Sequence, residues 1–111
     1  MTFVFIKKVK CKCVGLSYYH GMITNKLLLV RDTNNTKDKN AIEVHNEEGD
    51  MVGFIERIAA AKLAPVIDEF GDDVEMKVIH NGDKNHSWKI QLDIEVWASS
   101  AIDYSVREYL K

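Results

Sequence analysis

Hydrophobic and polar residues alternate along much of this chain, which is the pattern of half-buried β-strands. Residues 8–14 place Lys8, Lys10 and Lys12 on one side of a strand, with valine and cysteine side chains on the other. Residues 88–96 alternate in the same way between apolar and polar side chains. Further strands are predicted at residues 27–31, 41–45, 51–55 and 74–79.

The period of the pattern changes after residue 55, where apolar residues recur every three and four positions, as in an amphipathic helix. Pro65 has no amide hydrogen and its ring clashes with the preceding turn. The sequence therefore predicts a break there, with Pro65 beginning a second helix and Gly71 ending it. Six strands with a helical insert between the fourth and the fifth predict a mainly β fold: a small, partly open, OB-like β-barrel.

A short C-terminal helix is predicted in residues 99–111, beyond a barrel domain that spans residues 1–98. Ser99 or Ser100 can cap this helix. Its apolar stripe consists of Ile102, Val106, Tyr109 and Leu110. Two interpretations remain: the helix packs on its own barrel, or it packs on a second subunit and forms a homo-oligomer, since a helix of about 12 residues is not stable alone in water.

The composition is that of an ordinary globular domain, with 46% hydrophobic and 29% charged residues among 111. No apolar run approaches the roughly 20 residues of a membrane span, and the first residues lack a signal-peptide pattern, so we expect a cytoplasmic protein without membrane contact. Cys11 and Cys13 share one face of a strand without the geometry of a disulfide, and no metal-ligand spacing is present. The sequence predicts no metal, no cofactor and no enzymatic activity.

The charge is unevenly distributed, although the net charge is only −2. Residues 1–31 contain six lysine or arginine residues and no acidic residue, whereas acidic residues predominate in the rest of the chain. Nucleic-acid binders usually present a basic surface, because neutralised phosphates release their counterions. Only the first third of this chain has that character.

Three segments carry a more specific signal: GLSYYHG at residues 15–21, LVRDTNNTKDKNAIEV at 29–44 and GDMVGFI at 49–55. In their order and spacing they resemble the HIRAN domain, a small β-barrel module of Rad5-like and helicase-like transcription factor remodellers that also occurs alone in bacteria and phages. The resemblance covers residues 9–97. It implies a domain that captures single-stranded DNA, in the animal remodeller specifically at a free 3′ end.

The resemblance also implies roles for individual residues. Tyr18 and Tyr19 match the tyrosine pair that holds the terminal nucleotide in this family. Asp38 matches the aspartate that accepts a hydrogen bond from the 3′-hydroxyl, and Asn35 matches an asparagine that helps to hold the same end. Trp88 matches an aromatic residue that stacks on bases. By residue type alone, there is a structural alternative: the aromatic side chains pack in the core, and the polar side chains cap their own loop.

Other positions concern contacts with the nucleic-acid backbone. Arg57 occupies a family position that contacts this backbone. Ser17 stands where the remodeller domains have an arginine, and Lys37 stands where they have a tyrosine, so a point charge replaces a stacking face.

The sequence therefore predicts binding of single-stranded DNA by these residues, together with the row formed by Lys8, Lys10 and Lys12. The competing prediction is a protein-interaction or self-associating adaptor module without DNA binding.

Overall fold

The computed structural model describes residues 2–16, 19, 21–80 and 89–111. Its elements are β1 (Phe3–Val14), β2 (Leu28–Arg31), β3 (Ile42–His45), β4 (Met51–Ile55), α1 (Arg57–Phe70), a 3₁₀ turn (Gly71–Asp73), β5 (Val74–Ile79), β6 (Lys89–Ser99) and α2 (Asp103–Tyr109). Within the described residues, six strands form one sheet in the order β2-β3-β4-β1-β6-β5. Every neighbouring pair is antiparallel.

The sheet curls until its two edge strands, β2 and β5, approach each other. Leu29 of β2 and Met76 of β5 line one small cavity of about 150 Å³ together with Ile67 of α1. Beyond the strands, Nε2 of His80 lies 2.8 Å from the carbonyl oxygen of Thr24. The result is a nearly closed, mainly β barrel with two short helices, which confirms the predicted fold class.

The core lies inside this barrel and beneath α1. Its largest fully buried side chains are Ile42, Val44, Val52, Leu63, Val66, Leu92, Ile94, Val96 and Val106. Burial of each such aliphatic side chain contributes about 1.5–3 kcal/mol. The predicted alternation in β1 is confirmed, because Cys11 and Cys13 are buried while Lys8, Lys10 and Lys12 are exposed. Both cysteines are free thiols.

The predicted break at Pro65 is wrong, because α1 continues through it from Arg57 to Phe70. Proline cannot donate the hydrogen bond that would reach the carbonyl of Ala61, one turn earlier. Ala61 is an exposed residue, so water can satisfy this carbonyl. The predicted helix end at Gly71 is confirmed: Gly71 has φ 54°, and its N–H donates to the carbonyl of Ile67.

α2 packs on its own barrel, which is the first of the two interpretations of this helix. Val106 and Leu110 are buried in the same core as the strands. Nζ of Lys7 donates to the carbonyl of Leu110 at 3.1 Å, and Nη2 of Arg107 donates to the carbonyl of Phe5 at 3.2 Å. Because the apolar stripe is used within the chain, the structure gives no support to a homo-oligomer formed through this helix.

Among the described residues, no helix has both the length and the apolar character that crossing a membrane requires.

Candidate nucleic-acid interface

A hollow of about 360 Å³ lies where the ends of β1 and β4 meet the loop that precedes β3. It is lined by Val14, Tyr19, Asn35, Lys37, Asp38, Ala41, Phe54, Ile55 and Arg57. We call it the aromatic–acidic hollow. Five of the residues predicted from the sequence line it, including one tyrosine of the pair and the loop aspartate. Tyr18 and Trp88, which were also predicted, lie outside the described residues.

Two glycines position Tyr19 at this hollow. Gly15 follows β1 with φ 82°, and a Cβ at this position would come within 3.4 Å of the Tyr19 ring. Gly21 donates its N–H to the carbonyl of Met51 at 3.0 Å, and a Cβ there would clash with the same carbonyl. Only glycine allows both the turn and this close approach to β4. Gly21 is therefore held against β4.

Tyr19 forms an aromatic pair with Phe54, with ring centroids 5.8 Å apart and an interplanar angle of 70°. Both rings are half-buried, so each keeps surface that a ligand can contact. Phe54 is not among the site residues predicted from the sequence. The sequence signal that could have identified Phe54 is its place in β4: it directly follows Gly53, which is buried, and its own side chain faces away from the core.

The loop at the other side of the hollow is fixed by its own side chains. Oδ1 of Asn35 accepts hydrogen bonds from the backbone N–H groups of Lys37 and Asp38, each at 2.9 Å. Oδ1 of Asp38 accepts a hydrogen bond from the N–H of Asn40, also at 2.9 Å. Both polar residues therefore cap the loop, which is the structural alternative that their residue types allowed.

The second carboxylate oxygen of Asp38 takes no part in this capping. Oδ2 of Asp38 lies 3.6 Å from Nε of Arg57, and Nη2 of Arg57 donates to the carbonyl of Lys37 at 3.3 Å. The Arg57 side chain is 74% exposed, and ion pairs of such exposure hold their partners only weakly. The hollow thus presents one carboxylate oxygen beside an exposed cation at its rim.

A partly buried arginine supports the loop from behind. The Arg31 guanidinium donates to the carbonyls of Ala41 at 2.6 Å and of Lys39 at 3.1 Å. It also forms two hydrogen bonds of 2.9 Å to the carboxylate of Asp68 on α1. These bonds lower the pKa of Asp68 and raise the pKa of Arg31. The loop that carries Asp38 is therefore tied to both β2 and α1.

The structure does not bring the whole lysine row to the hollow. Lys8 and Lys10 line a different cavity, beside α1, and stand opposite Glu95 and Asp93 on β6. Lys12 stands opposite an uncharged residue, Gln91, two positions before Val14 of the hollow. Of the three lysines, Lys12 is therefore best placed to add positive charge near the hollow.

A further lysine, which is not among the residues predicted from the sequence, lies on the same side of the sheet. Lys89 pairs with Val14 across the β1–β6 ladder and is exposed. Among the described residues, no group of three or more histidine, cysteine, aspartate or glutamate side chains is arranged to hold a metal ion.

These observations define a class of protein: a small, nearly closed antiparallel barrel whose end carries an aromatic and polar hollow. The sequence model of the HIRAN domain family matches residues 6–100 of this chain. The chain belongs to the HIRAN domain family.

Individual relatives agree with this assignment. A putative SWI/SNF-related matrix-associated actin-dependent regulator of chromatin subfamily A member 3-like 1 from Arabidopsis thaliana is 38% identical over 96 residues, which are 85% of this chain and 11% of that protein. The chain thus spans about a tenth of the length of the curated relatives it matches.

Solved structures show the same similarity. The crystal structure of the HIRAN domain of human HLTF has a TM-score of 0.86 at 29% identity, covering 97% of this chain and 89% of that one. An NMR structure of the HLTF HIRAN domain in its DNA-bound conformation has a TM-score of 0.76 at 29% identity, covering 97% of this chain and 88% of that one.

Proposed function

We propose that this domain binds single-stranded DNA in the aromatic–acidic hollow and that it holds a free 3′-hydroxyl end there. The observation that carries the proposal is that Tyr19 and Asp38, which lie far apart in the sequence, line the same hollow. A structurally similar HIRAN domain is described in a DNA-bound conformation, which supports nucleic-acid binding by this family. The choice of a 3′-hydroxyl as the bound end rests on the chemistry of the hollow.

The two sides of the hollow suit the two parts of a terminal nucleotide. Tyr19 and Phe54 offer aromatic surface for a base, and each stacking contact contributes roughly 1–3 kcal/mol without regard to base identity. Oδ2 of Asp38 accepts a hydrogen bond from a hydroxyl group, whereas it repels the charge of a phosphate. The hollow therefore favours a strand that ends in a hydroxyl.

Cations at the rim complete the proposed site. Arg57 and Lys37 stand beside Asp38, where they can pair with the phosphate that precedes the terminal sugar. Lys12 and Lys89 continue the positive charge along the outer face of the sheet. We assign a smaller contribution to Lys8 and Lys10, because each faces an acidic residue.

The remaining predicted residues have supporting roles in this proposal. Asn35 positions Asp38 by accepting its backbone N–H, so Asn35 acts through the loop. Tyr18 and Trp88 remain candidates for further stacking contacts on the basis of their family positions.

A comparison of two oligonucleotides tests the proposal. A fluorescent ten-nucleotide oligothymidylate with a 3′-hydroxyl should bind about tenfold more tightly than the same strand with a 3′-phosphate, because Asp38 repels the phosphate. Asp38→Asn keeps the Oδ1 atom that caps the loop and should remove this preference. Asp72→Asn, a change at an exposed residue outside the hollow, is the matched control and should keep the preference.

Two outcomes contradict the proposal. Equal affinity of the wild-type domain for both ends would remove the role of Asp38. An oligonucleotide affinity that does not fall as salt rises would exclude phosphate contacts and favour the competing prediction of a protein-interaction module.

A further inference from the structure

One edge of β1 is not covered by any strand of the described residues. β1 pairs with β6 along its whole length but with β4 only at Cys13 and Val14. On the β4 side, the N–H of Glu56 bonds to the carbonyl of Lys12 at 2.9 Å. Backbone groups of alternate residues point to the same edge of a strand, and the β1–β6 register runs without a shift from residue 7 to residue 14. The N–H and C=O groups of Lys8 and Lys10 therefore also point to the uncovered edge.

A groove of about 720 Å³ runs along this edge. The strand side of its lining is the four consecutive residues 7–10. Consecutive side chains point to opposite faces of a strand, so a cavity that contacts all four residues lies beside the strand and not above one face. The opposite side is formed by Ala61, Lys62 and Pro65 of α1. We call this cavity the β1-edge groove.

The β1-edge groove is basic and partly apolar. Lys7, Lys8, Lys10, Lys62 and Lys111 line it, and no acidic residue of the described part of the chain does. Lys7 already bonds to the carbonyl of Leu110, and Lys111 pairs with Glu108 of α2. Lys8 and Lys10 face acidic residues on β6. Lys62 forms no ion pair within the part of the chain that the structure describes. Val9, Pro65 and Leu110 add apolar surface.

We propose that the β1-edge groove binds a short extended peptide with acidic side chains, which adds to β1 as a further strand. The uncovered edge offers both N–H donors and C=O acceptors, and a peptide backbone can satisfy both kinds of group. A DNA backbone has phosphate acceptors and no hydrogen-bond donors within the strand, so it would leave the carbonyls of Lys8 and Lys10 unpaired. The surrounding ammonium groups favour acidic side chains on the peptide. Residues 7–10 provide about 13 Å of edge, enough for roughly four peptide residues.

Defined peptides test the backbone contribution. The probe is a fluorescent, acetylated peptide of alternating valine and glutamate, six residues long, and the control is the same peptide with lysine in place of glutamate. The acidic peptide should bind to the full chain and the basic peptide should not. Two further probes carry N-methyl groups on the odd or on the even amides. At least one of them should bind about tenfold more weakly, because strand addition uses one edge of the peptide. Unchanged binding of both methylated peptides would overturn the proposal.

Charge reversal tests the location. Lys62→Glu changes an exposed position of α1 and should weaken binding of the acidic peptide about fivefold or more. The matched control is Lys26→Glu, which reverses an exposed lysine outside both cavities and should change this affinity less than about twofold. Affinity of Lys62→Glu for the 3′-hydroxyl oligonucleotide should stay unchanged, which separates the groove from the aromatic–acidic hollow.

Three outcomes would overturn the assignment. Unchanged affinity of Lys62→Glu for the acidic peptide would show that the peptide binds elsewhere. Loss of oligonucleotide binding in Lys62→Glu would make the groove part of a nucleic-acid surface. Dimerisation of the wild-type chain in sedimentation equilibrium that disappears in Lys62→Glu would show that a second copy covers the edge.

Discussion

Tyr19 contributes an aromatic face to the proposed site, and its hydroxyl has no assigned role there. Tyr19→Ala should weaken binding of a 3′-hydroxyl oligothymidylate by about 10-fold to 100-fold, the range expected for one lost stacking contact. Tyr19→Phe should stay within about twofold of the wild type, since the ring is kept. Fluorescence anisotropy measures both affinities.

Tyr104→Ala is the control for this pair of variants. Tyr104 is 72% exposed on α2 and lines no part of the aromatic–acidic hollow, so its removal should not change the affinity. A Tyr19→Ala variant that binds as tightly as this control would exclude stacking at Tyr19.

Asn35 acts on the loop, and its effect should appear in stability. Asn35→Ala leaves the N–H groups of Lys37 and Asp38 without their acceptor and should lower the free energy of unfolding by about 1–3 kcal/mol. The neighbouring Asn34 is exposed and forms no side-chain hydrogen bond among the described residues, so Asn34→Ala should change this free energy by less than about 0.5 kcal/mol. Urea denaturation measures both values. Equal stability of the two variants would show that the loop does not depend on Asn35.

At this scale the sequence predicted which residues lie together at the hollow better than it predicted the contacts that each of them makes. The resemblance placed Tyr19 and Asp38 together, and the hollow contains both. The division of Asp38 into one oxygen that caps the loop and one that faces Arg57 depends on a side-chain rotamer. Residue type and spacing do not determine such a rotamer, so this arrangement could not be predicted.

The pairing of strands decides what each lysine of β1 can contribute. Lys12→Ala should weaken oligonucleotide binding and reduce the slope of affinity against salt by about one unit, because Lys12 stands opposite Gln91, next to the hollow. Lys8→Ala is the matched variant in the same strand, and it should leave both quantities nearly unchanged because Lys8 faces Glu95. Binding titrations over a range of salt concentrations check this difference. Equal effects of the two substitutions would indicate that the bound DNA contacts the whole row of Lys8, Lys10 and Lys12.

Alternation predicted that the three lysines share the outer face of β1, and this is confirmed. It could not predict which residues of β6 stand opposite them, because register is set by contacts between segments that lie far apart in the chain.

The continuous helix α1 shows that burial of apolar side chains outweighs the tendency of proline to end a helix. An internal proline costs a helix about 3 kcal/mol, whereas the buried face of α1 includes Leu63 and Val66, each worth about 1.5–3 kcal/mol. Pro65→Ala restores the donor for Ala61 and should raise the free energy of unfolding by about 1–2 kcal/mol, since part of the gain is lost to a more flexible unfolded chain. Lys62→Ala, at an exposed position of the same helix, is the control and should leave the free energy of unfolding nearly unchanged. A lower stability of Pro65→Ala would show that packing of the proline ring outweighs the missing hydrogen bond.

For the whole molecule, local spacing predicted the elements, and long-range pairing decided their order. Periods of two and of three to four residues are visible within each segment, so the strands and the helical insert could be predicted. The sheet order β2-β3-β4-β1-β6-β5 places β1 between strands that follow it in the sequence. The short contact of β1 with β4 leaves the β1-edge groove open, and no property of the strand sequence alone indicates this.

The barrel as a whole also controls the chemistry of its two thiols. Burial raises the pKa values of Cys11 and Cys13 from 9.0 to about 12, because a thiolate inside the barrel would lose its hydration. In the unfolded chain the thiols ionise near the lower value, so between about pH 9 and pH 12 the folded state binds more protons and stability falls as pH rises. Below about pH 9 this contribution is fully present.

Urea denaturation from about pH 8 to pH 10.5 checks this dependence. The wild-type domain should lose up to about 1.4 kcal/mol per pH unit for each thiol above pH 9, relative to a variant that carries Cys11→Ala and Cys13→Ala. The comparison uses slopes of stability against pH, so a lower starting stability of the variant does not affect it.

In the native state a thiol reagent should modify both cysteines only as fast as the barrel unfolds, because both are buried. Equal slopes together with rapid labelling at neutral pH would show that solvent reaches the thiols in the folded barrel.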